Sequence, residues 1–201
     1  MLQAALPIKL GGLDLNVLYI STVKQLSDKR LGQILETLPL SKSELNKINK
    51  NVHLENIEAT QFESYLVEVE KFIEDNKIKM IIIDSIAGLS DVQFINENNE
   101  VDYIGRAQFL RRIIVRFKEL IVKYNLFFFV TNNVKGDIDK GNGKSIPSLG
   151  LIWENGVNTR ILLHKEEAVR KIEIVFSNYL DSKIAEFKIT NAGLEIFSIN
   201  Y

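Results

Sequence analysis

The residues best placed to do chemistry are Asp84 and Ser85, with Asn132 and Asn133 in a second, similar setting. Asp84 and Ser85 end the run Lys79-Met80-Ile81-Ile82-Ile83-Asp84-Ser85. A continuous apolar run rich in Ile suits a strand covered on both faces, as in the middle of a parallel sheet. Ile82 is expected to be buried there. An acid at the carboxyl end of such a strand lies where open α/β sheets place their ligands. In nucleotide hydrolases with a phosphate-cradling loop, that acid helps to hold a magnesium ion. In an ordinary core strand it would cap the next turn. The strand alone admits both readings. A second apolar run, Leu126-Phe127-Phe128-Phe129-Val130, ends in Thr131-Asn132-Asn133. Its side-chain amides could sense a phosphate or cap a loop. The four polar residues should meet at adjacent strand ends, which is the strongest site signal in the chain.

Other chemistries lack their residues. Cysteine is absent, which removes disulfides and thiolate metal sites. The only histidines, His53 and His164, fall inside predicted strands, and no metal-ligand spacing or Ser-His-Asp arrangement appears. No G-x-x-x-x-G-K-[ST] phosphate loop occurs. With 46% hydrophobic and 25% charged residues the chain suits one soluble domain, and no apolar run approaches a membrane span. The formal net charge of -1 gives no bulk attraction to nucleic acid. Any such contact must come from a local patch. Lys135, Lys140 and Lys144 lie in a Gly-rich stretch, and Arg106 follows the polar stretch 90–99.

The elements that must position these residues alternate. Residues 2–7 read as the end of a helix stopped at Pro7, and Gly11-Gly12 turns into a strand over 16–22. A helix over 28–37 carries Leu31, Ile34, Leu35 and Leu38 on one face. Ser41 and Ser43 can cap a short helix fading near Asn51, and a strand follows over 52–57. Thr60-Gln61-Phe62-Glu63 has capping-box spacing and opens a helix with Phe62, Tyr65, Leu66, Val69, Phe72 and Ile73 on one stripe. The Asp84 strand comes next, then a loop over 90–99. A long helix over 101–124 buries Phe109, Ile113, Phe117, Leu120, Ile121 and Tyr124. Strand–helix alternation of this kind implies a doubly wound sheet. Beyond Pro147, strands over 159–164, 171–176, 186–189 and 194–199 follow one another without helices, which implies an antiparallel edge.

The order of these features resembles the RecA-like recombinases, and specifically the eukaryotic recombinase paralogues, with wording most like the fungal mediator paralogue. The matching residues are Leu6-Pro7 with Gly11-Gly12-Leu13, Leu18-Tyr19-Ile20-Ser21-Thr22, and Arg30-Leu31. Ile82-Ile83-Asp84-Ser85-Ile86 matches the family's Walker B strand, and Val130-Thr131-Asn132-Asn133-Val134 is similar to its T-N-Q-V signature. Pro147-Ser148-Leu149-Gly150-Leu151-Ile152-Trp153, Val157-Asn158-Thr159-Arg160-Ile161 and Phe187-Lys188-Ile189-Thr190 complete the pattern across nearly the whole chain. The resemblance implies an α/β, RecA-like doubly wound fold: a mainly parallel sheet with antiparallel C-terminal edge strands, one core across residues 1–201. It implies ATP and Mg2+ as the family's cofactors, with Asp84 as the metal-associated acid and Ser85, Asn132 and Asn133 near the nucleotide. It places DNA-facing loops at 90–101 and 135–146, with Arg106, Lys135, Lys140 and Lys144 as the DNA-binding cations.

Three departures qualify that picture. The family's phosphate loop should lie just before Leu2, outside residues 1–201. Val23 stands where the family has the Glu that activates water, and Val cannot act as a base. Asn133 replaces the family's Gln and is one methylene shorter. The expected function is DNA repair by homologous recombination in the nucleus: a mediator subunit, without hydrolysis of its own, bound to a second recombinase paralogue, the recombinase filament and single-stranded DNA, with no membrane partner. Two alternatives stay open. One is an active ATPase whose phosphate loop lies upstream, and the other is a nucleotide-free scaffold that binds only protein.

Overall fold

Four strands form a parallel sheet in the order β2-β1-β3-β4: β1 (Asn16–Ser21), β2 (Val52–Asn56), β3 (Ile78–Asp84) and β4 (Phe127–Val130). The structure is a computed structural model that describes residues 1–23, 26–95, 100–136 and 145–200. β3 lies between β1 and β4, with Ser21 opposite Asp84 and Val130 opposite Ile83. Its apolar residues are buried as the run implies, with Ile81 and Ile83 at 2% and 0% exposure. Ile82 is a correction: it is only half-buried, on the face it shares with Asp84. β4 is a second one. It pairs only with β3 among the described strands, so Phe127 and Phe129 stay half exposed although the run is wholly apolar.

The chain divides into two compact units. The first comprises Met1–Leu26 and Lys42–Glu154. Here the sheet is joined by the short helix α1 (Leu2–Ala5), α3 (Lys42–Asn51), α4 (Phe62–Asp75), α5 (Ile86–Gln93), α6 (Tyr103–Tyr124) and α7 (Gly150–Glu154). A small hairpin, β5 (Val134–Gly136) with β6 (Ser145–Pro147), completes it. α4 buries Phe62, Leu66, Val69 and Ile73, while α6 buries Phe109, Leu110, Ile113, Phe117 and Leu120. Both stripes follow the helical period. The capping box at Thr60 does not form. Thr60 sits inside a 3-10 turn over Ala59–Gln61, and α4 starts without a side-chain cap. The polar stretch is also shorter than expected, because α5 continues through Gln93 and Ile95 bridges to Val101. Among the described residues no helix is long and apolar enough to cross a membrane.

The second unit comprises Ser27–Ser41 and Asn155–Tyr201. Its helix α2 (Asp28–Glu36) is capped by Ser27, whose hydroxyl accepts the Arg30 N–H. The Arg30 guanidinium donates to the carbonyls of Thr190 and Asn191, at 2.5 and 3.3 Å. The unit's antiparallel sheet has the order β10-β9-β8-β7, built from β7 (Thr159–Glu166), β8 (Val169–Ser177), β9 (Ile184–Thr190) and β10 (Gly193–Asn200). Arg30 therefore fixes α2 to the turn between β9 and β10.

In the first unit an ion cluster ties α4 to α6. Glu70 accepts from Arg116 at 2.7 Å, from the Tyr124 hydroxyl at 2.9 Å, and from Lys123. These donors, Lys123 foremost, hold the Glu70 carboxyl down at about 2. A depressed folded-state value contributes stability that is present above the ordinary carboxylate range and lost as pH falls toward 2. In the folded protein, carbon-detected NMR is expected to show Glu70 titrating near that value, and Lys123→Ala should move the midpoint up toward about 4.3. A wild-type midpoint already in the ordinary range would show that the cluster does not form.

Candidate functional site

The parallel strands end together, and the polar residues that follow them meet there. Asp84 is held from two sides. Its Oδ1 accepts the Thr131 hydroxyl at 2.6 Å, and its Oδ2 accepts the Tyr19 hydroxyl. Tyr19 comes from β1 and Thr131 follows β4, so three adjacent strands contribute one group each. The two donors fix the carboxylate's direction. Tyr19 shows the converse: burial first, and the bond to Asp84 second, push its phenol above the ordinary value.

Ser85 has a different task. Its hydroxyl accepts the Gly88 N–H at 3.4 Å and caps α5. The Ser85 N–H donates to the Thr22 hydroxyl at 3.1 Å, and that hydroxyl donates to the Ser85 carbonyl at 2.6 Å. The backbone of β3 is thus tied to the end of β1 at the point where the chain turns. The Asp84–Ser85 peptide is cis. Val23, at the position of the family's Glu, is 69% exposed. A methyl group added at Gly88 would come within 2.2 Å of its Cγ2.

Asn132 and Asn133 follow Thr131 and bond to Ser148 at the hairpin. The Asn132 side-chain oxygen accepts the Ser148 hydroxyl at 2.9 Å, and the Asn133 carbonyl accepts the Ser148 N–H at 2.9 Å. Ser148 in turn accepts Arg106 Nη2 on its carbonyl at 3.3 Å. Of the expected DNA cations, Arg106 stands in α6 and Lys135 in β5. Lys140 and Lys144 lie outside the described residues.

Sequence reasoning found Asp84 but missed Tyr19, Thr22, Thr131 and Ser148. Tyr19 carried a usable signal, since a phenol inside a buried strand must find a partner for its O–H. The donor set suits a metal ion held through its water shell: one oriented carboxylate and hydroxyls, with no cluster of three ionisable ligands among the described residues. ATP fits only in part. Asp84 can serve the metal side, but residues 1–201 contain no loop of backbone amides with a Lys to cradle phosphates.

A family model described as Rad51 matches residues 1–196. Among curated proteins, the chain is 26% identical over 237 residues to the DNA repair protein XRCC3 homolog of Arabidopsis thaliana, covering 94% of this chain and 77% of that protein. It is 26% identical to the DNA repair protein RAD51 homolog 2 of Homo sapiens, over 97% of this chain but 54% of that protein. Identity to the DNA repair and recombination protein RadA of Methanoculleus marisnigri is 25%, over 96% of this chain and 62% of that protein. The chain therefore spans about three quarters of the first relative and less than two thirds of the other two.

Proposed function

Because the chain belongs to the Rad51 family, we propose that it serves DNA repair by homologous recombination as a recombinase-paralogue subunit in the nucleus. It assists or stabilises recombinase filaments on single-stranded DNA, through a second paralogue, and does not hydrolyse ATP itself. The observation that carries this reading is Val23. It follows Tyr19-Ile20-Ser21-Thr22 where a water-activating acid would be needed, at a strand end that otherwise keeps its oriented Asp84. Names of the relatives support the recombination role, since each is a DNA repair or recombination protein. In a complete site of this family Asp84 would hold the metal side of bound ATP and Mg2+, and the metal would supply charge to offset the phosphates. The chain's own part is to hold Asp84 in place and, at position 23, to offer no base.

DNA contact rests on Lys135, Lys140 and Lys144, because a net charge of -1 provides no general attraction. Binding should be weak, insensitive to sequence and steeply reduced by salt. Each cation engaged adds roughly 0.7 to the slope of log affinity against log salt for a single strand, so replacing all three lysines by Ala should flatten it by about 2. Fluorescence anisotropy with oligo-dT across a salt series, with and without a partner paralogue, reads this directly. Unchanged affinity and slope in the triple variant would remove the loop from the mechanism.

A further inference from the structure

Ser148 is a polar residue only 7% exposed, and it joins three elements. Its hydroxyl donates to Asn132 and its N–H to Asn133, both at the end of β4; its carbonyl accepts Arg106 from α6. The hairpin starts at Val134, directly after Asn133, and Val134 pairs with Pro147, directly before Ser148. Ser148 and Asn133 are thus the first step of the ladder at the hairpin's base. Arg106 sits four residues into the first turns of α6, whose cap Asp102 donates its N–H to Phe94 at 2.8 Å across the stem of the other loop.

We propose that Arg106 is a positioning residue: it braces the base of the β5–β6 hairpin to the start of α6, and the effect of its loss on single-stranded DNA binding comes through the hairpin base it holds. This rests on the DNA-binding reading above and changes the part Arg106 plays in it. A guanidinium committed to a peptide carbonyl holds the backbone in place through a charge-assisted hydrogen bond. Its influence on DNA then passes through the hairpin and not through a phosphate.

The test uses the full 201-residue chain with Arg106→Gln and, separately, Ser148→Ala, and oligo-dT as the probe. Arg106→Gln should weaken binding about tenfold, the order of one lost hydrogen bond to a charged group, while leaving the salt slope unchanged. Amides of 134–136, 145, 146 and 148 should exchange faster with solvent deuterium even without DNA, while those of β3 keep their protection. Ser148→Ala should produce the same exchange pattern, and it decides the matter if Arg106→Gln loosens β3 as well. A slope lower by roughly 0.7 in Arg106→Gln, with hairpin exchange unchanged, would make Arg106 a phosphate contact and overturn the brace. If the wild-type chain and its complexes bind no DNA, the DNA-binding reading fails. The exchange data then decide the brace alone: faster hairpin exchange upholds it, and unchanged exchange overturns it.

Discussion

Ile83→Asp is expected to abolish folding, while Asp84→Ala, one residue along the same strand, leaves a folded protein. Ile83 is 0% exposed on β3, with β1 on one side and β4 on the other. Its backbone N–H and C=O are already committed to those ladders and to Thr131, which donates its N–H to the Ile83 carbonyl at 3.0 Å. A carboxylate there would be shut off from water. An unpaired buried charge costs more than about 4 kcal/mol, against a total stability of roughly 5–15 kcal/mol. Asp84 points to the open end of the sheet and is itself exposed. Its removal strands the Tyr19 and Thr131 hydroxyls, which costs about 1–2 kcal/mol because water can reach the strand end. Circular dichroism and thermal melts separate the two variants. Equal melting temperatures would show that β3 is not the central strand.

The parallel sheet was legible because its strands are written as unbroken apolar runs joined by helices of clear period. Val17 to Ile20, and Ile81 and Ile83, are buried as those runs require. Position within the sheet was not legible. Phe127-Phe128-Phe129-Val130 reads like a central strand, yet β4 has one neighbour among the described residues, and an alternating pattern that would mark a half-exposed strand is missing. Ile82 was misjudged for a related reason. A run without alternation does not say which of its residues faces the less covered side, and Ile82 shares its face with the exposed Asp84. The division into two units escaped notice because no Pro- or Gly-rich linker marks it; the segment Ser27–Ser41 joins strands that lie far along the chain.

The site was legible in its acid and not in the acid's supports. Asp84 stood out through contrast with its strand. Thr131 and Thr22 did not, because a threonine at a strand end is ordinary and only the register shows that its hydroxyl reaches a neighbour. The surroundings of Asn132 were not legible either: its side-chain oxygen accepts the hydroxyl of Ser148, sixteen positions away across the hairpin. Long-range pairing of that kind leaves no periodic trace. The failed capping box is the opposite case: a valid local pattern at Thr60 that lost to a 3-10 turn one residue earlier.

Phe109→Ala is expected to destabilise the chain by about 3–5 kcal/mol, the range for deleting a fully buried aromatic ring. Phe109 is 0% exposed on the inner face of α6. Its ring meets Phe94 with centroids 5.3 Å apart, tilted by 50°. Phe94 is the residue at which α5 ends and the first loop begins, and its carbonyl holds the N–H of Asp102, the cap of α6. The two rings therefore close the stem of that loop, while the same helix carries Arg106 to the hairpin. Loss of the Phe109 ring leaves a cavity in the core and removes the ring against which Phe94 packs. The melting temperature should fall by on the order of 10 °C, given about 2–4 °C per kcal/mol in a chain of this size. Phe109→Leu, which keeps most of the apolar volume, should cost clearly less. Exchange of the Asp102 amide should rise in the Ala variant before the helix interior loosens, because the cap loses its support first. A melting temperature unchanged by Phe109→Ala would mean that α6 is not anchored through this ring and that the loop stem is held by other contacts.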